Sequence, residues 1–359
     1  MGPYGATYRT TYDLKMPVRD VLIVGAGPSG LATAIAAKQQ GLDYVIVEKG
    51  VLVNSIFNFS VHMVFFTTPE LLEIGGLPLV TPYDKPTRLE ALKYYRRVVD
   101  TYQLPIEFGE QVVSLERETA RAGAADQGGD GVFAVETRSE KGVRRIRHSR
   151  SVIFAIGYFD HPNYLGVPGE NLPHVSHYYT ESHGFYRKSV VIVGGGNSAA
   201  ETALELFRAG AQVTLLHRRP ELKSSIKYWV RPDIENRIKE GSIRGLFNTR
   251  LVDIQPTHVV VEREGANEEI PAAAVFLLTG YHPDCELYRR AGIRLQRDTL
   301  TPELNPETFE TNVRGLFLAG GAICGKDTSN IFIENGRFHG ETIVKVLADR
   351  FGKGAAVAR

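Results

Sequence analysis

The chain has 359 residues, 43% hydrophobic and 23% charged, with a formal net charge of +1. That length provides for two domains with sizeable cores, and the near-neutral balance excludes an electrostatic case for nucleic acid or an anionic membrane surface. No apolar run approaches the about 18 residues that a membrane span needs; the two cysteines, Cys285 and Cys324, form neither a C-x-x-C pair nor a disulfide framework, as expected in a reducing cytoplasm.

Residues 1–17 are polar and rich in Tyr and Thr, without the apolar core or cleavage pattern of a signal peptide, and are expected to form a flexible extension. The stretch Val21-Leu22-Ile23-Val24-Gly25-Ala26-Gly27-Pro28-Ser29-Gly30 then runs an apolar strand into glycines at the G-x-G-x-x-G spacing, and the following residues to Gln40 read as a helix. Gly25 allows the tight turn, Gly27 admits a pyrophosphate, and Gly30 lets helix and strand pack closely. The helix N-terminus favours the negative charge of the phosphates. A second strand, Tyr44–Val47, ends at Glu48, whose carboxylate suits the two hydroxyls of a ribose and repels a 2′-phosphate.

Residues 54–68 are apolar and aromatic without helical periodicity, which predicts irregular structure against a flat partner. Thr87 and Glu90 form a capping box that opens a helix through Tyr102, with Leu92, Tyr95, Val98 and Val99 on its apolar side. Strands at 111–117, 132–137 and 143–148 make a small antiparallel meander, with a mobile loop at 120–131, and the apolar run 151–157 reads as a separate buried strand.

The plan then repeats. Val190–Val193 runs into Gly194-Gly195-Gly196-Asn197-Ser198-Ala199, and Val213–Leu216 is the second strand of this unit. A second meander (249–254, 258–262) and an apolar strand ending at Gly280 follow. Two copies of one plan, the later inside the earlier, predict an α/β fold of two Rossmann-like dinucleotide-binding domains, each with a small β-meander. The expected boundaries are 18–161 with 284–359 for the first domain and 162–283 for the second. Where the first unit has Glu48, the second has His217-Arg218-Arg219 and no acid. Guanidinium groups match a phosphate in a bidentate fork, so the first site is expected to take FAD and the second NADPH. Nothing in the spacing of the ten histidines predicts a metal site.

With these motifs in place, residues 18–348 resemble the two-dinucleotide flavoproteins of the thioredoxin reductase group, and within it the YpdA-type bacillithiol-disulfide reductases. The resemblance rests on Asn54-Ser55-Ile56, His62-Met63, Lys85-Pro86-Thr87-Arg88, Ser225-Ile226-Lys227-Tyr228-Trp229 and Ile331-Phe332-Ile333-Glu334-Asn335-Gly336-Arg337, among other stretches. It implies FAD, NADPH, reduction of a low-molecular-weight disulfide such as bacillithiol disulfide, and a homodimer or homotetramer. The chain departs from the group in two places. Ser198-Ala199-Ala200-Glu201 replaces the C-x-x-C of thioredoxin reductases, and Ser29 stands where YpdA-type proteins often carry a cysteine. Cys324, beside a glycine pair, becomes the candidate redox thiol. The candidate FAD contacts are Gly25, Gly27, Pro28, Ser29, Gly30 and Glu48, with Lys49, Asn54, Ser55, His62, Val113 and Gly157, and Gly320, Gly321, Ile331 and Asn335 from the closing segment. Those for NADPH are Gly194, Gly196, Asn197, Ser198 and Ala199, with Glu201, His217, Arg218, Arg219 and Gly280. A ferredoxin- or flavodoxin-type NADP reductase, with a small redox-carrier protein as acceptor, needs no cysteine and is the first alternative; a flavin monooxygenase and a non-catalytic redox sensor are the others.

Overall fold

The computed structural model describes residues 17–118 and 131–353; nearly all of the expected N-terminal extension and of the loop at 120–131 lies outside the described residues. The opening unit is β1 (Arg19–Val24), α1 (Pro28–Gln39) and β2 (Tyr44–Glu48). Two helical turns, α2 (Asn54–Phe57) and α3 (Pro69–Leu72), interrupt an otherwise irregular segment before α4 (Arg88–Tyr102). The capping box forms: Thr87 Oγ1 accepts from the Glu90 N–H at 3.3 Å, and the Glu90 carboxylate accepts from the Thr87 N–H at 2.8 Å. The buried side of α4 is Ala91, Tyr94, Tyr95 and Val98, so Leu92 and Val99 are flanks rather than centre.

β3 (Ile106–Phe108), β4 (Glu110–Glu118), β5 (Val132–Ser139) and β6 (Arg144–Phe154) follow. The two strands expected at 143–148 and 151–157 are therefore one. The polar stretch between them reads as a break, but its groups are satisfied in place. Arg147 pairs with Glu107 and Glu110, and Ser149 Oγ donates to the Ser151 carbonyl at 2.7 Å. β6 thus pairs antiparallel with β5 along its first half and parallel with β1 along its second.

The inserted section carries β7 (Val175–Ser176), β8 (Ser189–Val193), α5 (Asn197–Arg208), β9 (Gln212–Leu216), α6 (Arg231–Lys239) and β10 (Arg244–Leu246). The antiparallel strands β11 (Thr249–Ile254), β12 (His258–Arg263) and β13 (Ala266–Pro271) form their own sheet before β14 (Ala274–Leu277). α7 (Cys285–Arg290), β15 (Leu316–Leu318), the helical turn α8 (Ile333–Gly336) and α9 (His339–Arg350) complete the first domain.

The first sheet has seven strands in the order β3-β2-β1-β6-β5-β4, with β15 also on β6; the second has five in the order β10-β9-β8-β14-β7, all parallel. Alternation along the strands divides each core. Val21, Ile23, Ile46 and Ile153 face α1, α4 and α9, whereas Leu22, Val24, Val152 and Phe154 face the β4–β5 hairpin and α7. Each such side chain, removed from water, contributes about 1.5–3 kcal/mol. In the second domain Val190, Ile192, Val213 and Leu215 pack on α5, and Val191, Leu216 and Val275 pack on the three-stranded sheet. The two crossovers lie side by side: Asn163 donates its N–H to the Gly280 carbonyl and His282 donates to that of His161, both at 2.9 Å.

Candidate active site

One cleft of about 1880 Å³ runs from the end of β1, between the two sheets, to the end of β9. The carboxyl ends of parallel strands meet glycine turns at both ends of it, the usual place for a ligand in such sheets. At the first turn Gly25 has φ +106°, and an added Cβ would sit 2.5 Å from the Ala155 carbonyl oxygen. A Cβ on Gly30 would overlap the Gly25 carbonyl, whereas one on Gly27 meets nothing within 4 Å. Gly25 and Gly30 thus bring strand and helix together, and Gly27 opens onto the cleft.

Glu48 sits buried at the tip of β2, accepting the Ala26 and Gly50 N–H groups at 2.7 Å each. Burial pushes its carboxyl up, and those two amides pull the other way. Pro28, Ser29, Asn54, Ser55, Gly157 and Ile331 line the same arm of the cleft, with the exposed His62 and with Lys49, which pairs with Asp160 at 2.8 Å.

On the second arm Gly194, Gly196, Asn197, Ser198, Glu201 and Gly280 line the wall. The His217 ring lies against Gly195, where an added Cβ would overlap it. Burial and then the nearby Lys223, Arg218 and Arg219 lower the His217 pKa, keeping the imidazole neutral amid converging cations.

Several expected contacts fall elsewhere. Gly30 and Ala199 are buried behind the turns rather than on the cleft. Val113 sits at a register shift in β4, and that bulge puts Val112 and Gln111 on the cleft in its place. Gly320 is tucked behind Ser29, donating its N–H to His339 Nδ1 at 3.1 Å, so His339 is a satisfied core histidine. The Asn335 side chain is spent on its own turn, accepting from the Phe332 N–H at 2.9 Å and donating to the Asn330 carbonyl at 2.8 Å. Its neighbour in expectation, Gly321, does line the cleft. Arg219 is exposed and does not itself line the cleft, although its charge acts on His217, and Lys223 joins Arg218 on the wall: its N–H donates to the Gly195 carbonyl at 2.9 Å, folding the loop back over the second glycine turn.

Neither cysteine reaches the cleft. Cys324 is buried, and burial pushes its thiol up to about 11; burial raises that of Cys285 as well. Among the described residues no cluster of His, Cys, Asp and Glu suits a metal. Lys227 and Trp229 line the junction of the two arms, and in the sequence they stand out only as part of the stretch 225–229. The domains touch there: Ser60 Oγ donates to Glu205 Oε2 at 3.3 Å, and the Val61 N–H to the Thr180 carbonyl at 2.9 Å.

The residues suit the two nucleotides. The open space at Gly27 and the carboxylate of Glu48 match an adenosine diphosphate whose ribose carries no 2′-phosphate; Arg218, Lys223 and the neutral His217 match a phosphorylated ribose. Two dinucleotide arms joined by one cleft define a flavin-dependent pyridine-nucleotide oxidoreductase.

Comparison with known proteins places it further. The family model "Pyridine nucleotide-disulphide oxidoreductase" matches residues 22–320. The chain is 41% identical over 331 residues to "Bacilliredoxin reductase Bdr" of Bacillus subtilis, covering 92% of this chain and 97% of the relative. It is 26% identical over 310 residues to a ferredoxin–NADP reductase of Ignicoccus hospitalis, covering 84% and 90%. The solved structure of bacillithiol disulfide reductase Bdr (YpdA) from Bacillus cereus superposes with a TM-score of 0.88 at 37% identity, covering 93% of this chain and 100% of that one. The chain belongs to the pyridine nucleotide-disulphide oxidoreductase family. It is an FAD-dependent oxidoreductase that uses NADPH.

Proposed function

We propose that the acceptor is a low-molecular-weight disulfide, with bacillithiol disulfide, the substrate in its Bacillus cereus neighbour's name, as the first to test. The balance is NADPH, a proton and one disulfide in, NADP⁺ and two thiols out. FAD, when bound, supplies the two-electron relay between nicotinamide and acceptor. Gly25, Gly27 and Glu48 would hold it, the glycines by the turn and the open approach to its phosphates and Glu48 by its carboxylate at the ribose. Arg218, Lys223 and His217 select the phosphorylated nucleotide, and Glu201 and Asn197 line the wall between. The observation that carries the reading is the continuity of the cleft from one nucleotide arm to the other.

The chain's own thiols stand outside this chemistry. Ser29 carries a hydroxyl, which forms no mixed disulfide, and Cys324 is off the cleft with a thiol held protonated. This thiol-free cleft also favours the second reading, a reductase of ferredoxin or flavodoxin.

The test is NADPH oxidation by the yellow protein against bacillithiol disulfide, glutathione disulfide, flavodoxin and ferredoxin. Turnover with the disulfides is expected; turnover with the carrier proteins alone overturns the first reading in favour of the second. The same reading carries a cytoplasmic setting and a homodimeric or homotetrameric assembly, which light scattering on the purified protein tests.

A further inference from the structure

Where the two arms of the cleft join, the domains build a feature that neither nucleotide motif accounts for. Phe66 and Phe332 of the first domain pack edge to face, ring centroids 5.9 Å apart. From the second domain, Lys227 lays its ammonium 3.3 Å from the Phe66 centroid and pairs with Glu201 at 3.3 Å. Lys85, back on the first domain, stands 4.3 Å from the centroid of Trp229, and Trp229 packs edge-on against Tyr228. Phe66, Lys227, Trp229 and Phe332 line the cleft, and Lys85 and Tyr228 stand at its rim, outside the lining.

Two properties set this cluster apart from core packing. Its rings are partly exposed, Phe332 40%, Trp229 43% and Tyr228 82%, with Lys85 and Lys227 each covering one ring face. Its charges are also unevenly matched. The nearby carboxylates, Glu201 and Glu334, both act on Lys227. Lys85 has only the Trp229 ring, and among the described residues no carboxylate pairs with it. The Trp229 face accepts none of the hydrogen bonds that an ammonium donates, so the three donors of Lys85 face solvent and are free to take a ligand.

We propose that this cage is the docking site of the acceptor, and that it selects a carboxylate-bearing small disulfide. A carboxylate of the ligand pairs with Lys85. The sulfurs and their carbon chain lie along Trp229 and Phe332, since sulfur makes favourable contacts with aromatic rings. Lys227 and Phe66 close the inner end, toward the flavin arm. Because Lys85 and Trp229 come from different domains, the site exists only while the domains are apposed as they are here. The inference rests on the disulfide-reducing activity proposed above.

Trp229 is the chain's one tryptophan, so its emission reports on this site alone. The oxidised holoprotein, without NADPH, is titrated with glutathione disulfide and with the uncharged hydroxyethyl disulfide. A saturable change in emission is expected with the anionic disulfide, and one at least about ten-fold weaker with the neutral one. Lys85→Met should raise Kd for glutathione disulfide about ten-fold and leave hydroxyethyl disulfide unchanged, with Lys85→Arg restoring most of the difference. Equal affinity for the two disulfides, or an unchanged Kd in Lys85→Met, overturns the proposal. So does a ferredoxin that shifts Trp229 emission where glutathione disulfide does not. Steady-state turnover of the same preparations separates this inference from the reading beneath it. If no disulfide is reduced at all, the activity itself is refuted; if disulfides turn over but Lys85→Met leaves their KM unchanged, only the docking site is.

Discussion

The choice between NADPH and NADH should be carried by Arg218 and Lys223 acting together, with Arg219 a minor contributor. Both side chains line the cleft beside His217, and Arg219 does not. A hydrogen bond involving a charged group contributes about 1.5–3 kcal/mol. Arg218 is exposed at the rim, so solvent and salt place each contact near the lower end of that range. Two contacts at about 1.5 kcal/mol give about 3 kcal/mol, or roughly a hundred-fold in the NADPH-over-NADH ratio of the flavin-reduction rate constant divided by Kd. The perturbation is Arg218→Ala with Lys223→Ala. The assay is anaerobic bleaching of the flavin band by each nucleotide, which needs no acceptor and so is independent of what the substrate is. Arg219→Ala alone should change the ratio only a few-fold, because its charge reaches the site through solvent. A double variant that stays within three-fold of the starting ratio, or an Arg219→Ala that matches it, would refute the reasoning.

Three further outcomes are expected. Cys324→Ala should leave kcat with a disulfide within about two-fold, and the native protein should show no thiol reactive to Ellman's reagent near neutral pH but two after denaturation; fast labelling of the folded protein contradicts the burial argument. Gly25→Ala should lose about 3 kcal/mol or more of stability through its φ of +106° and the contact with Ala155, while Gly27→Ala should leave the melting temperature of the flavin-free protein unchanged and weaken FAD retention about ten-fold; equal effects of the two would sink the division of roles. Burial alone would raise the Glu310 carboxyl, but its two bonds to Arg350 at 2.8 and 2.9 Å and one to the Gly315 N–H hold it below its ordinary 4.5. A folded pKa below the unfolded one gives stability that is present above about pH 4.5 and lost as the pH falls through the folded value. Glu310→Gln should therefore flatten the acid limb of a melting curve against pH, and an unaltered limb rules the pair out as its source.

What the sequence made legible was local. Both strand–glycine–helix units, the Thr87–Glu90 cap and the contrast of Glu48 with His217-Arg218 depend on residues close in the chain, and the fold reproduces them where they were expected. What escaped depended on long-range return. Lys223 reaches the nucleotide wall only because its N–H bonds back to Gly195, and nothing in a run of polar loop residues announces that. A one-residue bulge moved the lining role from Val113 to Val112, since side chains in a strand alternate and a single insertion exchanges the faces. The apolar pattern of β6 breaks between 148 and 151, so the sequence reads as two strands, but Arg147 and Ser149 find partners on β3 and β4 or within β6 itself and the strand runs on. The place of Asn335 ahead of a helix points its backbone amide, not its side chain, toward a ligand, and the side chain instead holds the turn in a way its neighbours in sequence do not announce.

The adjacency of the two crossovers, with Asn163 bonded to Gly280 and His282 to His161, has an architectural consequence. The polypeptide leaves and re-enters the flavin module through a single doorway, so the nucleotide module hangs from it like a cassette on one hinge pin. Excising residues 164–279 and closing the gap with a short turn should leave the seven-stranded sheet with every strand it now has. Such a remnant would still be yellow, and deaf to NADPH.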